Sequence, residues 1–187
     1  MRHNYTTRAI VLARTPLGEA NGFITILTDE LGLLRARAQG IRKPGAKLAS
    51  ALATYAESSL TLVRGREGWR ITGASLETPW FTRMGTRAAR TRAARITGLV
   101  LRLVAGESAE SAVFPIVTNF FTALATLPEE SHEAVEILAA LSILAALGLD
   151  AGGEVPRSFD SSALANFATH RRDYIARINR GLEASGL

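Results

Sequence analysis

The sequence predicts an α+β chain with a strand-rich front, residues 1–78, and an all-helical back, residues 79–187. Two observations carry this. Before Pro79 the apolar residues recur every second position between Gly- and Pro-containing breaks, and after it they recur at helical spacing. The charge changes sign along the chain as well. Residues 1–102 hold 17 Lys and Arg against 6 Asp and Glu, and residues 103–187 hold 5 against 11, so a net charge of +11 is followed by one of −6.

Thr7 to Arg14 is apolar and β-branched and reads as the first strand, broken by Pro16-Leu17-Gly18. Gly22 to Thr28 is the second, with a turn at Asp29-Glu30-Leu31-Gly32. Leu33 to Gly40 alternates most clearly: Leu34, Ala36 and Ala38 point one way, Arg35, Arg37 and Gln39 the other. Ile41 to Ala46 is a loop, and Lys47 to Leu52 is expected to form a short helix. Thr54 to Val63 and Trp69 to Ala74 form a hairpin around Arg64-Gly65-Arg66-Glu67-Gly68. Five short strands with a small helix before the fourth fit a five-stranded barrel of the oligonucleotide-binding (OB) type.

In the back half, Ile96, Leu99, Val100 and Leu103 share one helix face. Val113, Ile116, Val117, Phe120, Phe121, Leu124 and Leu127 keep i, i+3, i+4, i+7 spacing. The next helix begins near Glu129, Glu130 and Glu133, which suit its dipole, is apolar almost all round to Leu147, and stops at Gly148. Its apolar run, Ile137 to Leu149, is shorter than the roughly 20 residues of a membrane span and predicts a buried bundle centre. A loop from Asp150 to Asp160 precedes a last helix capped by Ser161 or Ser162 and reaching about Leu182.

Composition narrows the chemistry. With 47% hydrophobic residues the chain can bury a core, and with no cysteine it can form neither a disulfide nor a cysteine-ligated zinc site. The opening Met1-Arg2-His3-Asn4-Tyr5 has no signal-peptide pattern, and a cytoplasmic setting without membrane contact is expected. His3, His132 and His170 are scattered and read as surface residues, so no metal is expected. Ser131-His132-Glu133 cannot form a triad, because helix neighbours point apart, and Glu129, Glu130, Glu133 and Glu136 read as a solvated helix start. With no nucleophile–base pair in view, no enzyme and no cofactor are expected.

The basic front half points to a polyanion. The segment from Gly40 to Leu48 only superficially resembles a P-loop: Ala46 intervenes before Lys47, and Leu48 stands where Ser or Thr would hold magnesium. A phosphate-contacting loop beside the Arg35/Arg37 strand face fits better, with Arg42, Lys43 and Lys47 as its cations and Arg64 and Arg66 at a hairpin tip as further candidates. Arg83, Arg87 and Arg90 fall on one predicted helix face, as a second basic surface or an ordinary solvated one. Tyr5, Phe23, Tyr55, Trp69, Trp80 and Phe81 could stack on bases, but core filling is expected of most.

The chain resembles the RecO family of bacterial recombination mediators. The resemblance begins at Tyr5-Thr-Thr-Arg-Ala-Ile-Val-Leu12 and Pro16-Leu-Gly-Glu19. It is strongest at Leu27-Thr-Asp-Glu-Leu-Gly-Leu-Leu34, Ala38-Gln-Gly-Ile-Arg-Lys-Pro44 and Lys47-Leu48. Ala112-Val-Phe-Pro-Ile-Val117 and Ile143-Leu-Ala-Ala-Leu-Gly-Leu149 extend it in pattern. The resemblance implies an OB barrel and a helical domain that bind single- and double-stranded DNA, anneal complementary strands and help load RecA. It also implies partners: RecR, the acidic C-terminal tail of single-stranded-DNA-binding protein, RecA and RecF. On this basis Arg42, Lys43 and Lys47 carry over as DNA contacts. Many members have a four-cysteine zinc site after the central helix; here Asp150 to Phe159 stands there without cysteine, so a zinc-free helical domain is expected. The chain is shorter than usual for the family and its back half is acidic. Arg171, Arg172, Arg177 and Arg180 on the last helix are candidates to meet an acidic tail. Two other functions fit the same residues, an interaction adaptor that has lost DNA binding and an RNA-binding barrel.

Overall fold

The computed structural model describes residues 4–41, 45–104, 106–107, 112–155 and 158–186. Its strands are β1 (Asn4–Leu17), β2 (Asn21–Thr28), β3 (Gly32–Ala38), β4 (Ala56–Gly65) and β5 (Gly68–Pro79). Its helices are α1 (Trp80–Arg83), α2 (Arg87–Leu103), α3 (Val113–Thr126), α4 (His132–Ala146) and α5 (Ser161–Ser185). The chain divides into two compact units. One holds the strands and α1 and takes in Gly106 and Glu107; the other holds α2 to α5.

The five strands close a barrel in the order β1-β2-β3-β5-β4. β3 and β5 pair in parallel and the remaining pairs are antiparallel, which is the OB-like arrangement the alternation predicts. Alternate residues fill the interior: Ala9 and Val11, Ile24 and Ile26, Leu34 and Ala36, Leu60 and Leu62, Trp69 and Ile71. β1 runs on through Pro16 rather than breaking there. Pro16 faces Gly22 of β2, and β1 pairs with β4 only from Asn4 to Ile10, so the missing N–H falls where β1 has one neighbour.

The helix expected over Lys47 to Leu52 is instead a run of turns, with hydrogen bonds Ala49 N to Ala46 O, Leu52 N to Leu48 O and Ala53 N to Ser50 O. Leu52 is fully buried and Leu48 packs on the barrel core. The chain then turns through Tyr55 at φ +62° into β4, so too few residues share helical geometry to offset the cost of nucleation.

In the second unit α4 packs against α2, α3 and α5, and Leu138, Leu141, Ile143 and Leu144 are fully buried. This all-round burial is why its sequence lacks a polar face. Gly148 at φ +71° lets the chain reverse after α4, and Leu149 N bonds back to Leu144 O. The cap of α5 is Asp160, not Ser161 or Ser162; its carboxylate accepts from Ser162 N and Ala163 N. No helix among the described residues is long and apolar enough to cross a membrane.

Candidate nucleic-acid interface

The site is built on β3. Because Leu34, Ala36 and Ala38 turn into the barrel, Arg35 and Arg37 turn out of it. The register sets Phe23 of β2 opposite Arg37 on one side and Arg70 of β5 beside Arg37 on the other. The guanidinium of Arg35 lies 4.2 Å from the centre of the Phe23 ring. Such a contact is worth about 0.5–1 kcal/mol at an exposed site, and it holds the cation outward over the strand. Arg37 reaches Glu67 at 3.8 Å, while its buried Nε has no hydrogen-bond partner among the described residues.

Together these elements line a groove of about 380 Å³, walled by Phe23, Arg37, Arg66, Glu67, Trp69 and Arg70. Arg66 and Glu67 form the two-residue tip between β4 and β5, with Gly65 and Gly68 paired at its base. Arg64, just before that tip, donates to Glu107 Oε2 at 2.8 Å and lies 5.4 Å from the Trp69 ring. Trp69 Nε1 donates to Glu107 Oε1, also at 2.8 Å.

The loop after β3 is tethered at both ends. Ile41 is buried, Leu48 packs on the core, and Gly40 N bonds to Asn21 Oδ1 at 3.0 Å. Lys47 is exposed between these tethers. Arg42 and Lys43 lie outside the described residues. Of the seven predicted contacts, Arg37 and Arg66 share the groove, Arg35 stands on its flanking strand, Arg64 is held by Glu107, and Lys47 sits on the loop. Arg70 was not among the predicted contacts. Its signal is the alternation Trp69-Arg70-Ile71-Thr72, whose odd members are buried.

Of the candidate stacking aromatics, Tyr55, Trp69 and Trp80 are buried, Phe23 is half-buried, and Tyr5 and Phe81 are exposed. Tyr5 meets Trp69 edge-on at 5.2 Å, Phe81 stacks on Tyr55, and Trp80 Nε1 donates to Glu57 at 2.7 Å.

The helical unit uses its arginines differently. Arg92 and Arg95 of α2 both bind Glu136 of α4, Arg171 binds Glu133, and Arg177 binds Asp150. The hydrogen bond that Arg95 donates to Glu136 raises Arg95 above its ordinary pKa, and the one that Glu133 accepts from Arg171 lowers Glu133. Glu129, Glu130 and Glu133 are exposed at the helix start as expected, Glu133 while pairing with Arg171, whereas Glu136 is largely covered by its two arginines. Arg177 is buried and also donates to Gly153 O, so it does not face solvent as expected; Arg172 and Arg180 do. The predicted face of Arg83, Arg87 and Arg90 is split, with Arg83 on α1 and the other two on α2 after Gly85.

His132 is buried, contrary to the surface reading. Its Nε2 lies 3.0 Å from Leu127 O, closing the turn between α3 and α4. His170 is exposed on α5, and His3 lies outside the described residues. Among the described residues no group of three or more His, Asp or Glu could hold a metal ion.

Residues 1–80 match the family model described as "Recombination protein O N terminal". Several curated relatives carry the name DNA repair protein RecO. The chain is 29% identical over 117 residues to the DNA repair protein RecO of Dehalococcoides mccartyi strain 195, which covers 63% of this chain and 46% of that protein. It is 38% identical over 101 residues to the DNA repair protein RecO of Synechococcus elongatus, or 54% of this chain and 38% of that one. With the Acaryochloris marina protein of the same name, identity reaches 46% over 66 residues, 35% of this chain and 22% of the relative. The chain thus spans less than half the length of these relatives.

Proposed function

We propose that this chain, whose residues 1–80 match the RecO N-terminal family model, is a non-catalytic DNA-binding recombination mediator that anneals complementary strands. The observation that carries the reading is the outward row of Arg35, Arg37 and Arg70 on neighbouring strands, with Phe23 covered by Arg35.

An annealing surface must grip a strand without hiding its bases. Proteins that coat single strands stack bases on aromatic side chains, which removes those bases from pairing. Here the Phe23 ring is occupied by a guanidinium and Trp69 is buried. Arginine forks suit phosphate oxygens and hold them bidentately. The strand is then held by its backbone with base edges turned to solvent. Two strands brought to such surfaces lose part of their mutual repulsion, and pairing is faster with no bond made or broken.

Arg35, Arg37, Arg66, Arg70 and Lys47 form the contact set, Arg64 joins it when its carboxylate partner yields, and Arg42 and Lys43 follow from the family resemblance. RecR, RecA, RecF and the acidic tail of single-stranded-DNA-binding protein are the proposed partners, and the cytoplasm the proposed location. Arg172 and Arg180, exposed on α5, are the cations left to meet an acidic tail there.

The test is annealing of complementary oligonucleotides coated with single-stranded-DNA-binding protein. Acceleration that falls with salt is expected, with binding to bare single strands losing about 0.7 log units per tenfold salt for each phosphate contacted. A rate equal to the uncatalysed one, or binding indifferent to salt, would overturn the reading.

A further inference from the structure

Glu107 reaches the barrel from the segment between α2 and α3 and ends on Arg64 and Trp69, the second of which lines the groove. Its Oε2 accepts from Arg64 Nη1 at 2.8 Å and its Oε1 from Trp69 Nε1 at 2.8 Å. These partners lie 43 and 38 residues away in sequence, so local chain geometry does not impose the contact. Two oxygens of one anion spanning a guanidinium and a neutral N–H is the pattern a phosphate would make in the same place.

Resting on the DNA-binding reading above, we propose that Glu107 is an internal phosphate mimic, which occupies the Arg64–Trp69 end of the strand-binding face and is exchanged for a backbone phosphate when a strand binds. Three features support the exchange. Arg64 and Glu107 are 60% and 42% exposed, so their pair is of the weak, solvent-screened kind that a polyanion can displace. The indole N–H can only donate, and a phosphate oxygen would satisfy it as the carboxylate does, so the exchange leaves no buried donor unmatched. Trp69 also walls the groove with Arg37, Arg66 and Arg70, so a strand lying on those cations passes the carboxylate's position.

The consequence is a threshold. A ligand offering one anionic group competes evenly with Glu107, whereas a strand already held at Arg35, Arg37 and Arg70 presents its next phosphate at high effective concentration. Glu107 thereby favours extended polyanions over isolated phosphates.

The experiment measures anisotropy of a labelled oligothymidine with the full chain, at several salt concentrations, for the wild type, Glu107→Gln, Glu107→Ala, Arg64→Gln and the Arg64→Gln/Glu107→Gln pair. Both Glu107 variants are expected to bind about two- to fivefold tighter near 50 mM salt, the range set by an exposed ion pair. Their log–log salt slopes should be steeper by about 0.7, one more phosphate contact. In the Arg64→Gln background the gain should vanish. A Glu107 variant with wild-type affinity and slope would overturn the proposal, as would a gain that survives loss of Arg64. Failure of the wild type to bind would instead remove the function on which it rests. Inorganic phosphate gives a second reading without any variant: as a single anion it should leave Trp emission unchanged at concentrations where oligothymidine shifts it, and an equal shift from both would overturn the proposal.

Discussion

Arg177 grips Asp150 with two nitrogens, Nε on Oδ1 at 3.1 Å and Nη2 on Oδ2, and both side chains are more than nine-tenths buried. The same Nη2 reaches Gly153 O at 2.9 Å, and Gly152 N donates to Asp150 Oδ1 at 3.1 Å. One ion pair thus fastens the start of the loop after α4 to the middle of α5.

Asp150→Asn should therefore destabilise the helical unit by about 3 kcal/mol, because it leaves a guanidinium buried without its counter-charge. The hydrogen bond from Arg177 holds the Asp150 carboxyl below its ordinary value of 3.8. The pair's contribution is full above that value and drains as pH falls through the lower folded-state value. Urea melts between pH 7 and 2 would show the variant weaker at neutrality and with a shallower loss in acid. Parallel curves for variant and wild type would contradict the assignment.

Gly152 belongs to the same fastening. A Cβ added there would stand 2.2 Å from Arg177 Nε, too close for any contact, so Gly152→Ala must push the guanidinium off its carboxylate. We expect a lower Tm than wild type, with little further loss when Asp150→Asn is added, since the two changes break one interaction. Additive losses in the double variant would show that the sites act separately.

Glu136 holds Arg92 and Arg95 between α2 and α4. Glu136→Gln keeps the shape and removes the charge, and should cost about 1.5–3 kcal/mol, the worth of hydrogen bonds to a charged group. It also exposes two cations, so nonspecific DNA binding by the variant should rise at low salt. Calorimetry and a filter-binding assay check the two effects independently.

On the barrel, charge reversal at Arg35 and Arg37 together should weaken binding to single strands of any sequence by more than about tenfold, with a salt slope shallower by about 1.4 for two lost phosphate contacts. Arg70→Glu should act in the same direction. A loss confined to one base composition would mean that these side chains read bases. Ile41→Ala, by contrast, removes a buried tether of the loop after β3, and we expect about 2–5 kcal/mol of lost stability from the cavity.

What the sequence made legible follows the range of the interactions. The barrel and the row Arg35, Arg37 could be read because side-chain alternation is a period-two signal within one strand. The α4 core could be read because complete burial removes every polar position. Arg70 was within reach by the same alternation, between Trp69 and Ile71. The partners of Glu107, Glu133, Glu136 and Asp150 were not, since those arginines lie 27 to 44 residues away and charge alone does not choose among them. The net acidity of the back half therefore misled: several of its carboxylates pair with arginines, and Glu136 and Asp150 are largely covered in doing so. His132 was hidden for a related reason, its acceptor being a helix-end carbonyl rather than a polar side chain.

The two tryptophans of the chain divide the barrel between them: Trp69 donates to Glu107 at the groove and Trp80 to Glu57, a buried carboxylate. The protein carries its own pair of optical probes, one registering occupancy and the other integrity. A ligand that enters the groove should perturb one indole and spare the other, whereas unfolding moves both. Emission spectra can then separate a variant that has lost its strand from one that has lost its shape, without any label attached.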